Sequence, residues 1–477
     1  MSPLNRASRF GLTAAVIVAL TCGCVAGPKF AEPTGANPTS FTSAPLTHLQ
    51  GDSPAASEND APAWWLPLHS AQLDATIRLA LDRNRELAAA RATLGQMQEL
   101  AAASEGARYP SLDFEASAGR QKYGAAFLGP DKLPPFSFYS VGFGVSYAFD
   151  LAGGVRRTVE QQYALALYQQ REVEAAALSV SGNVALQALA AASARAQIES
   201  LEALLQDDQK DLKLVQDAFD AGSANRVDVL NARSQLANDQ TQLPPLHRAL
   251  SSAQHELALL VGRAPAEWSA PEFRLEEFAL PSQLPQTLPS ELAHRRPDIL
   301  AAEAQLHAAT AAVGIATANL YPQLSLTASA SMQSTVLHSL FDSNSSAAGL
   351  TGSFTQPLFN HGALRAKERA AREAMHASLD NYEQIVLRSF GQVADALEAL
   401  DHDAELIDSE QSAVAISSEN LDLTRESYTA GNTGVLQILE AQRQSQQARL
   451  GLVRAQAQRL EDIIELQLAL GGRMPST

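Results

Sequence analysis

Apolar positions along the chain follow two different periods, and the pattern switches between them twice. From Leu73 to Arg108 apolar residues recur three and four apart among Ala, Leu, Glu and Arg, which predicts a helix. "YPSLDFEASAG" then changes to period two, with Leu112, Phe114 and Ala116 on one face and Asp113, Glu115 and Ser117 on the other. "FYSVGFGVSYAFDL" alternates more strongly: Tyr139, Val141, Phe143, Val145, Tyr147 and Phe149 oppose Ser140, Gly142, Gly144, Ser146 and Ala148. A later pair repeats the pattern. Leu324, Leu326, Ala328, Ala330 and Met332 face away from Ser325, Thr327, Ser329 and Ser331, and a weaker fourth strand is expected over about Gly349 to Phe359.

Long helical stretches follow each strand pair. Gly154 to Gly222 and Gly362 to Gly431 contain no internal proline. At 1.5 Å per residue each would reach roughly 100 Å, far more than a bilayer. Small apolar residues such as Ala175, Leu178, Ala185, Leu189 and Ala192 recur at helical spacing among Gln, Glu and Arg, so these helices need neighbours along their length. Each then breaks and returns as a shorter helix, Val227 to Val261 and Val435 to Leu470. Pro244-Pro245 predicts a kink in the first return helix, with no counterpart in the second.

The two breaks are copies of one another. Ala221, Gly222, Leu230 and Ala232 map onto Ala430, Gly431, Leu439 and Ala441 at a constant offset of 209. "RYPSL" (Arg108 to Leu112) likewise answers "LYPQL" (Leu320 to Leu324), and "LLVGRAP" answers "LALGGRMP". The chain is therefore an internal repeat, each half reading helix, two strands, long helix, tip, return helix. The expected organisation is a signal peptide over 1–23, a linker over 24–62, a first repeat over 63–270, an inter-repeat linker over 271–288 and a second repeat over 289–477.

An aromatic and aliphatic face opposite small polar residues is the signature of a membrane barrel strand, although a soluble two-sheet domain with one wet face gives the same alternation. Four strands cannot close a barrel, for which eight is about the practical minimum. Open edges in lipid must be filled by other copies, so oligomerisation follows from the strand count.

Composition agrees with long packed helices rather than a deep catalytic core: 46% of residues are hydrophobic but only 6% aromatic. A formal net charge of −17 argues against a nucleic-acid partner and leaves a negative field available to cations. At the amino end, Arg6 and Arg9 precede the apolar run "GLTAAVIVAL", which is too short to span a bilayer. The run ends at "LTCGC", where Cys24 resembles the lipidated cysteine of a bacterial lipoprotein signal, with Thr21 at the place usual for Leu. Ordinary signal cleavage without a lipid is the other reading. Cleavage before Cys24 would leave no second cysteine and no internal disulfide.

Several stretches carry a resemblance to a known family: "GCVAGPKF", "WWLPLHSAQLDATIRLALDRNRELAAARA", "LPPLHRALSSAQHELALLVGRAP" and above all "RRPDILAAEAQLHAATAAVGIATANLYPQLSLTAS". As an ordered set they resemble the TolC-like outer-membrane factors of tripartite efflux pumps, in the NodT-type lipoprotein branch. The resemblance implies a mainly α protein with membrane β: a homotrimer whose twelve strands close one barrel in the outer membrane, continued by a coiled helical barrel across the periplasm. It also implies a periplasmic adaptor protein as partner and, through it, an inner-membrane transporter. The channel would be a passive exit duct for small molecules, with protein secretion as an alternative use of the same duct. A non-channel coiled-coil lipoprotein is the remaining alternative.

The resemblance also assigns the breaks. They match the periplasmic tips, which line the closable end of the pore, and Gly222 and Gly431 allow the tight reversal and leave a low surface for the adaptor. Glu440 matches a pore-ring carboxylate and Leu436 an apolar constriction, while Gln437 stands where some relatives carry another carboxylate. Three copies of Glu440 would attract cations at the narrowest point, and their mutual repulsion is expected to raise its pKa. Asp228 and Tyr428 match partners of a hydrogen bond that holds the hairpins closed, and Thr433 replaces an arginine that strengthens this latch in some members.

Other residues read as structural. "RRPDI" fits a helix start, and Trp64-Trp65 marks where the linker meets the fold. The ten His lack ligand spacing, and "HE" at His255-Glu256 lacks the second His of a zinc-protease motif. No phosphate loop or nucleophile elbow is present, so no catalytic, cofactor or metal site is expected.

Overall fold

A computed structural model describes residues 25–33, 40–42, 63–122, 134–278 and 295–472. The signal peptide and Cys24 lie outside the described residues, as do most of both linkers. Four strands form where the alternating segments predict them: β1 Ser111–Gln121, β2 Phe136–Phe149, β3 Gln323–Ser334 and β4 Ser346–Thr355. The helices are α1 Ala71–Arg83, α2 Arg85–Glu105, α3 Gly154–Asp220, α4 Arg226–Gln240, α5 Leu243–Leu260, α6 Pro297–Ala318, α7 Ala363–Thr429 and α8 Val435–Ala469. The two long helices α3 and α7 are each 67 residues, as the copied pattern requires.

Chain contacts divide the molecule into two units. The first, built from 1–34, 93–170 and 301–382, holds the sheet. Its strands are antiparallel in the order β1-β2-β3-β4. The register aligns Phe114 with Phe143 and Phe143 with Ala330, so the apolar residues of all the strands share one face. The Phe114 and Phe143 rings stand 5.4 Å apart at 59°. The opposite face is small and polar: the Ser111 and Ser146 hydroxyls lie 2.8 Å apart, and a Cβ at Gly142 would collide with Ser331. Neither face is covered by its own protomer. Phe114 is 62% exposed and Leu350 is 73% exposed, which overturns the reading as a soluble two-sheet domain: among the described residues no second sheet packs on this one.

The same unit fastens the start of the described chain, which the sequence reading did not foresee. Arg157, buried on the first turn of α3, donates from Nη2 to the Pro28 carbonyl at 2.7 Å and from Nε to that of Ala26 at 3.2 Å. Its Nη1 donates to Glu160 at 2.8 Å, Glu160 meets His307 at 3.0 Å, and His307 stacks on Phe30. A Cβ at Gly27, which has φ +84, would collide with the Gly314 backbone, and a Cβ at Gly314 would collide with the Arg157 side chain. Val25 lies against Gly153, four residues past the end of β2 at Phe149.

The second unit, 35–92, 171–300 and 383–477, is helical. Its largest core packs Trp65, Leu73, Ile77, Val184, Leu257 and Phe273, and a second cluster joins Val393 and Leu400 to Ile463 and Leu466. Trp64 and Trp65 are core residues: their indole N–H groups donate to Ser181 at 3.0 Å and Asp74 at 2.9 Å. The "RRPDI" stretch begins α6 as expected, and Arg296 adds a second task by donating to the Ala469 carbonyl at the end of α8 at 2.8 Å. Pro244-Pro245 makes a break, not a kink. Helix α4 ends at Gln240 and α5 starts afresh at Leu243, with the prolines in its first turn, where missing N–H groups go unnoticed. By length and hydropathy alone, windows in α3 and α6 could cross a membrane, but 56% of each window is buried inside the protein, so they read as core helices.

Candidate functional site

Both tips are built the same way. Helix α3 ends in a Schellman turn: the N–H of Gly222 donates to the Phe219 carbonyl and that of Ser223 to the Ala218 carbonyl, each at 2.9 Å. Helix α7 ends identically, with Gly431 donating to Tyr428 and Asn432 to Ser427, again at 2.9 Å. Gly222 has φ +78 and Gly431 φ +76, a left-handed conformation that disfavours any Cβ. A Cβ at either would meet nothing within 4 Å, so the requirement is conformational and the surface above both glycines is open.

Each return helix then starts with a side chain reaching back. Asn225 Oδ1 accepts from the N–H groups of Val227 and Asp228, at 2.8 and 3.1 Å, and Asp228 Oδ2 accepts from the Asn225 N–H at 3.1 Å. This is a capping box. In the second tip Gln437 Oε1 accepts from the Gly434 N–H at 3.1 Å, and Gly434 has no side chain to answer. The two tips pack together: Val215 of α3, Val229 and Ala232 of α4, and Val435 and Leu439 of α8 form one buried cluster, with Tyr428 against it. The two tips therefore lie side by side within the protomer.

The predicted aperture residues gather on the outer side of this cluster. Leu436 is 48% exposed, and its counterpart Val227 in the first tip is 62% exposed. Gln437 and Glu440 are also exposed. The Glu440 carboxylate is not bare. Arg443 Nε donates to Oε2 at 3.1 Å, Arg443 Nη2 to Oε1, and Gln444 Nε2 to Oε1 at 3.0 Å. Within the protomer these bonds, Arg443 first, hold the Glu440 pKa below the ordinary value. An arginine three residues on was the signal that the sequence reading overlooked. Asp228 and Tyr428 are both in this unit, but the described hydrogen bonds include none between them. Asp228 is engaged with Asn225 and the Tyr428 ring with the tip cluster. Thr433 has its hydroxyl buried without a partner among the described residues.

Chemically the site offers backbone turns, exposed aliphatics and one guanidinium-paired carboxylate. Among the described residues there is no group of three or more His, Cys, Asp or Glu able to hold a metal ion.

Comparison with known proteins agrees with this architecture. The model of the family described as outer membrane efflux protein matches residues 76–263 and 288–472, one segment per repeat. The pyoverdine export outer membrane protein OpmQ of Pseudomonas putida is 30% identical over 88% of this chain and 90% of its own. The probable outer membrane lipoprotein SilC of Salmonella typhimurium is 28% identical over 95% of this chain and 96% of its own. Among solved structures, the outer-membrane channel OprN superposes with a TM-score of 0.87 at 27% identity, covering 94% of this chain and 99% of that one. The chain belongs to the outer membrane efflux protein family and is an outer-membrane efflux channel component of TolC-like fold, in a family that works with adaptor and inner-membrane transporter partners.

Proposed function

We propose that three copies of this chain close one twelve-stranded barrel and form a passive exit duct for small molecules, with the paired tips as its closable, adaptor-binding end. The observation that carries the reading is the sheet. β1 and β4 each have one partner and one open edge, and the apolar face carries the exposed side chains of Leu112, Phe114, Phe143, Leu350 and Phe354. An open edge in lipid leaves backbone groups unpaired at several kcal/mol each, and a second and third copy remove that penalty. The apolar face then meets lipid and the Ser/Gly face meets water.

In this reading Leu436 and Glu440 ring the narrow end, Asp228 and Tyr428 contribute to holding it shut, and Gly222 and Gly431 present the surface that receives an adaptor. The channel itself carries out no bond-making step. Relatives named for export of pyoverdine and efflux of toluene support a small-molecule cargo. Lipidation at Cys24 is part of the proposal: a relative named as a lipoprotein supports it, as does the tether that holds Val25 beside the end of β2.

The test is chemical cross-linking and single-channel recording on the protein purified from outer membranes. A trimer band together with discrete conductance steps is the expected result. A monomer that leaves lipid vesicles ion-tight would overturn it.

A further inference from the structure

Each helical hairpin buries a pair of aspartates face to face. In the first, Asp208 of α3 lies against Asp239 of α4, and they are 3% and 5% exposed. In the second, Asp403 of α7 lies against Asp462 of α8, both 7% exposed. The local chemistry is the same in both. The return-helix aspartate is served by a glutamine one turn earlier: Gln235 Nε2 donates to Asp239 at 2.6 Å and Gln458 Nε2 to Asp462 at 3.2 Å. Gln242 adds a second donor to Asp239 at 2.8 Å. The long-helix aspartate has no such help. Asp208 Oδ2 and Asp403 Oδ2 are buried without a hydrogen-bond partner among the described residues.

Two ionised carboxylates are both acceptors and cannot bond to each other, whereas one proton between them supplies the missing donor and removes the repulsion. The pairs are not inherited from the duplication. At the repeat offset of 209, Asp208 and Asp239 correspond to Ser417 and Ala448, while Asp403 and Asp462 correspond to Ala194 and Ala253. The same arrangement has arisen twice, at different heights in the two hairpins.

One cation acts on a member of each pair, and the other charges nearby are acidic or already paired. Near the first, Asp207 and Asp211 on α3 add negative charge. Lys210 is engaged with Asp207 at 2.9 Å, Arg425 of α7 stands 3.9 Å from Asp207, and Arg443 of α8 bonds Glu440 while also acting on Asp239. Near the second, Arg459 is the one cation acting on Asp403 among the described residues, and Glu461 and Glu465 lie on the same stretch of α8 as Asp462.

We infer that each hairpin contains a proton-binding site, Asp208–Asp239 in the first and Asp403–Asp462 in the second, in which one shared proton closes the contact between the long helix and its return helix. Burial, with the facing aspartate next, pushes both Asp208 and Asp403 up to about 7. A carboxyl raised in the folded state adds stability most fully below its unfolded value near 4; that stability declines as pH rises and levels off above about 7, where both partners are charged. The hairpins are thus tightest in mild acid and loosen in mild alkali.

Infrared titration of the full-length protein in lipid vesicles tests this. A protonated-carboxyl carbonyl band that disappears around neutral pH is expected, roughly halved in Asp208→Asn and in Asp403→Asn and absent in the double variant. Hydrogen exchange over 200–240 and 395–465, corrected for intrinsic rates, should lose about tenfold of its protection between about pH 6 and about pH 8.5, and the double Asn variant should not respond. The inference fails if the band is missing or survives in the double variant. It also fails if protection follows added Mg²⁺ or Ca²⁺ at constant pH, which would make the occupant a cation.

Discussion

Asp228 and Gln437 hold equivalent places in the two tips, and each returns a side-chain oxygen to the N–H three residues earlier, of Asn225 and of Gly434, at 3.1 Å in both cases. One acceptor is charged and the other neutral. Charge-assisted bonds are roughly twice as strong, so the first return helix starts more firmly than the second.

Asp228→Ala is expected to fray the first turn of α4 at about 1 kcal/mol, with Gln437→Ala costing about half as much. Hydrogen exchange at Arg226–Val229 and at Val435–Ile438 measures the two. If Asp228 also holds the tips closed, the same variant raises conductance in planar bilayers; unchanged conductance would confine Asp228 to capping.

Arg443 keeps Glu440 ionised to lower pH than an ordinary glutamate. Because the folded pKa is depressed, the charge and its pairing are present at neutral pH and are lost only as pH falls through that lowered value. If Glu440 rings the narrow end as proposed, cation preference, read from reversal potentials, should therefore persist into mild acid. Arg443→Ala should strengthen cation preference at pH 7 and make it fade at higher pH than in the parent, whereas Glu440→Gln should abolish it.

Gly222 and Gly431 separate backbone strain from surface. Alanine at either should cost about 1–2 kcal/mol, because φ near +77 places its Cβ against the following carbonyl. Asn tolerates this conformation better, so Gly431→Asn should keep the thermal midpoint near that of the parent while filling the open surface. A fall in affinity for the cognate adaptor without a fall in stability supports docking at the tip; unchanged affinity would move the docking surface elsewhere.

Arg157 holds the amino-terminal strap through three carbonyls. Arg157→Ala should release residues 25–33 at a local cost of about 3 kcal/mol, from lost charge-assisted bonds. Limited proteolysis followed by mass spectrometry would show a new cut in that strap, with the sheet intact. Absence of the cut would mean that Phe30 stacking on His307 suffices.

Much of this architecture is periodicity, and periodicity is local. The period-two runs placed β1 to β3 to within a few residues, and the copied Ala-Gly breaks located both tips, because a left-handed turn admits few residue types. The fourth strand was set too late, ending at Thr355 rather than near Phe359, since Ser and Gly there weaken the alternation. Pro244-Pro245 was read as a kink because sequence shows that a helix must change at proline, not whether the chain restarts.

What the tertiary structure alone decided depends on partners distant in the chain. Arg157 reads as one more surface arginine until Ala26 and Pro28 are brought to it, and Arg296 until Ala469 is. Asp208 and Asp403 stand in polar helical stretches like any solvated carboxylate, and only the packing of return helix on long helix turns them inward onto Asp239 and Asp462. Helix, strand and turn are chosen by neighbours a few residues away, which a sequence displays. Burial and charge pairing are chosen by residues tens to hundreds of positions away, which only the folded chain brings together.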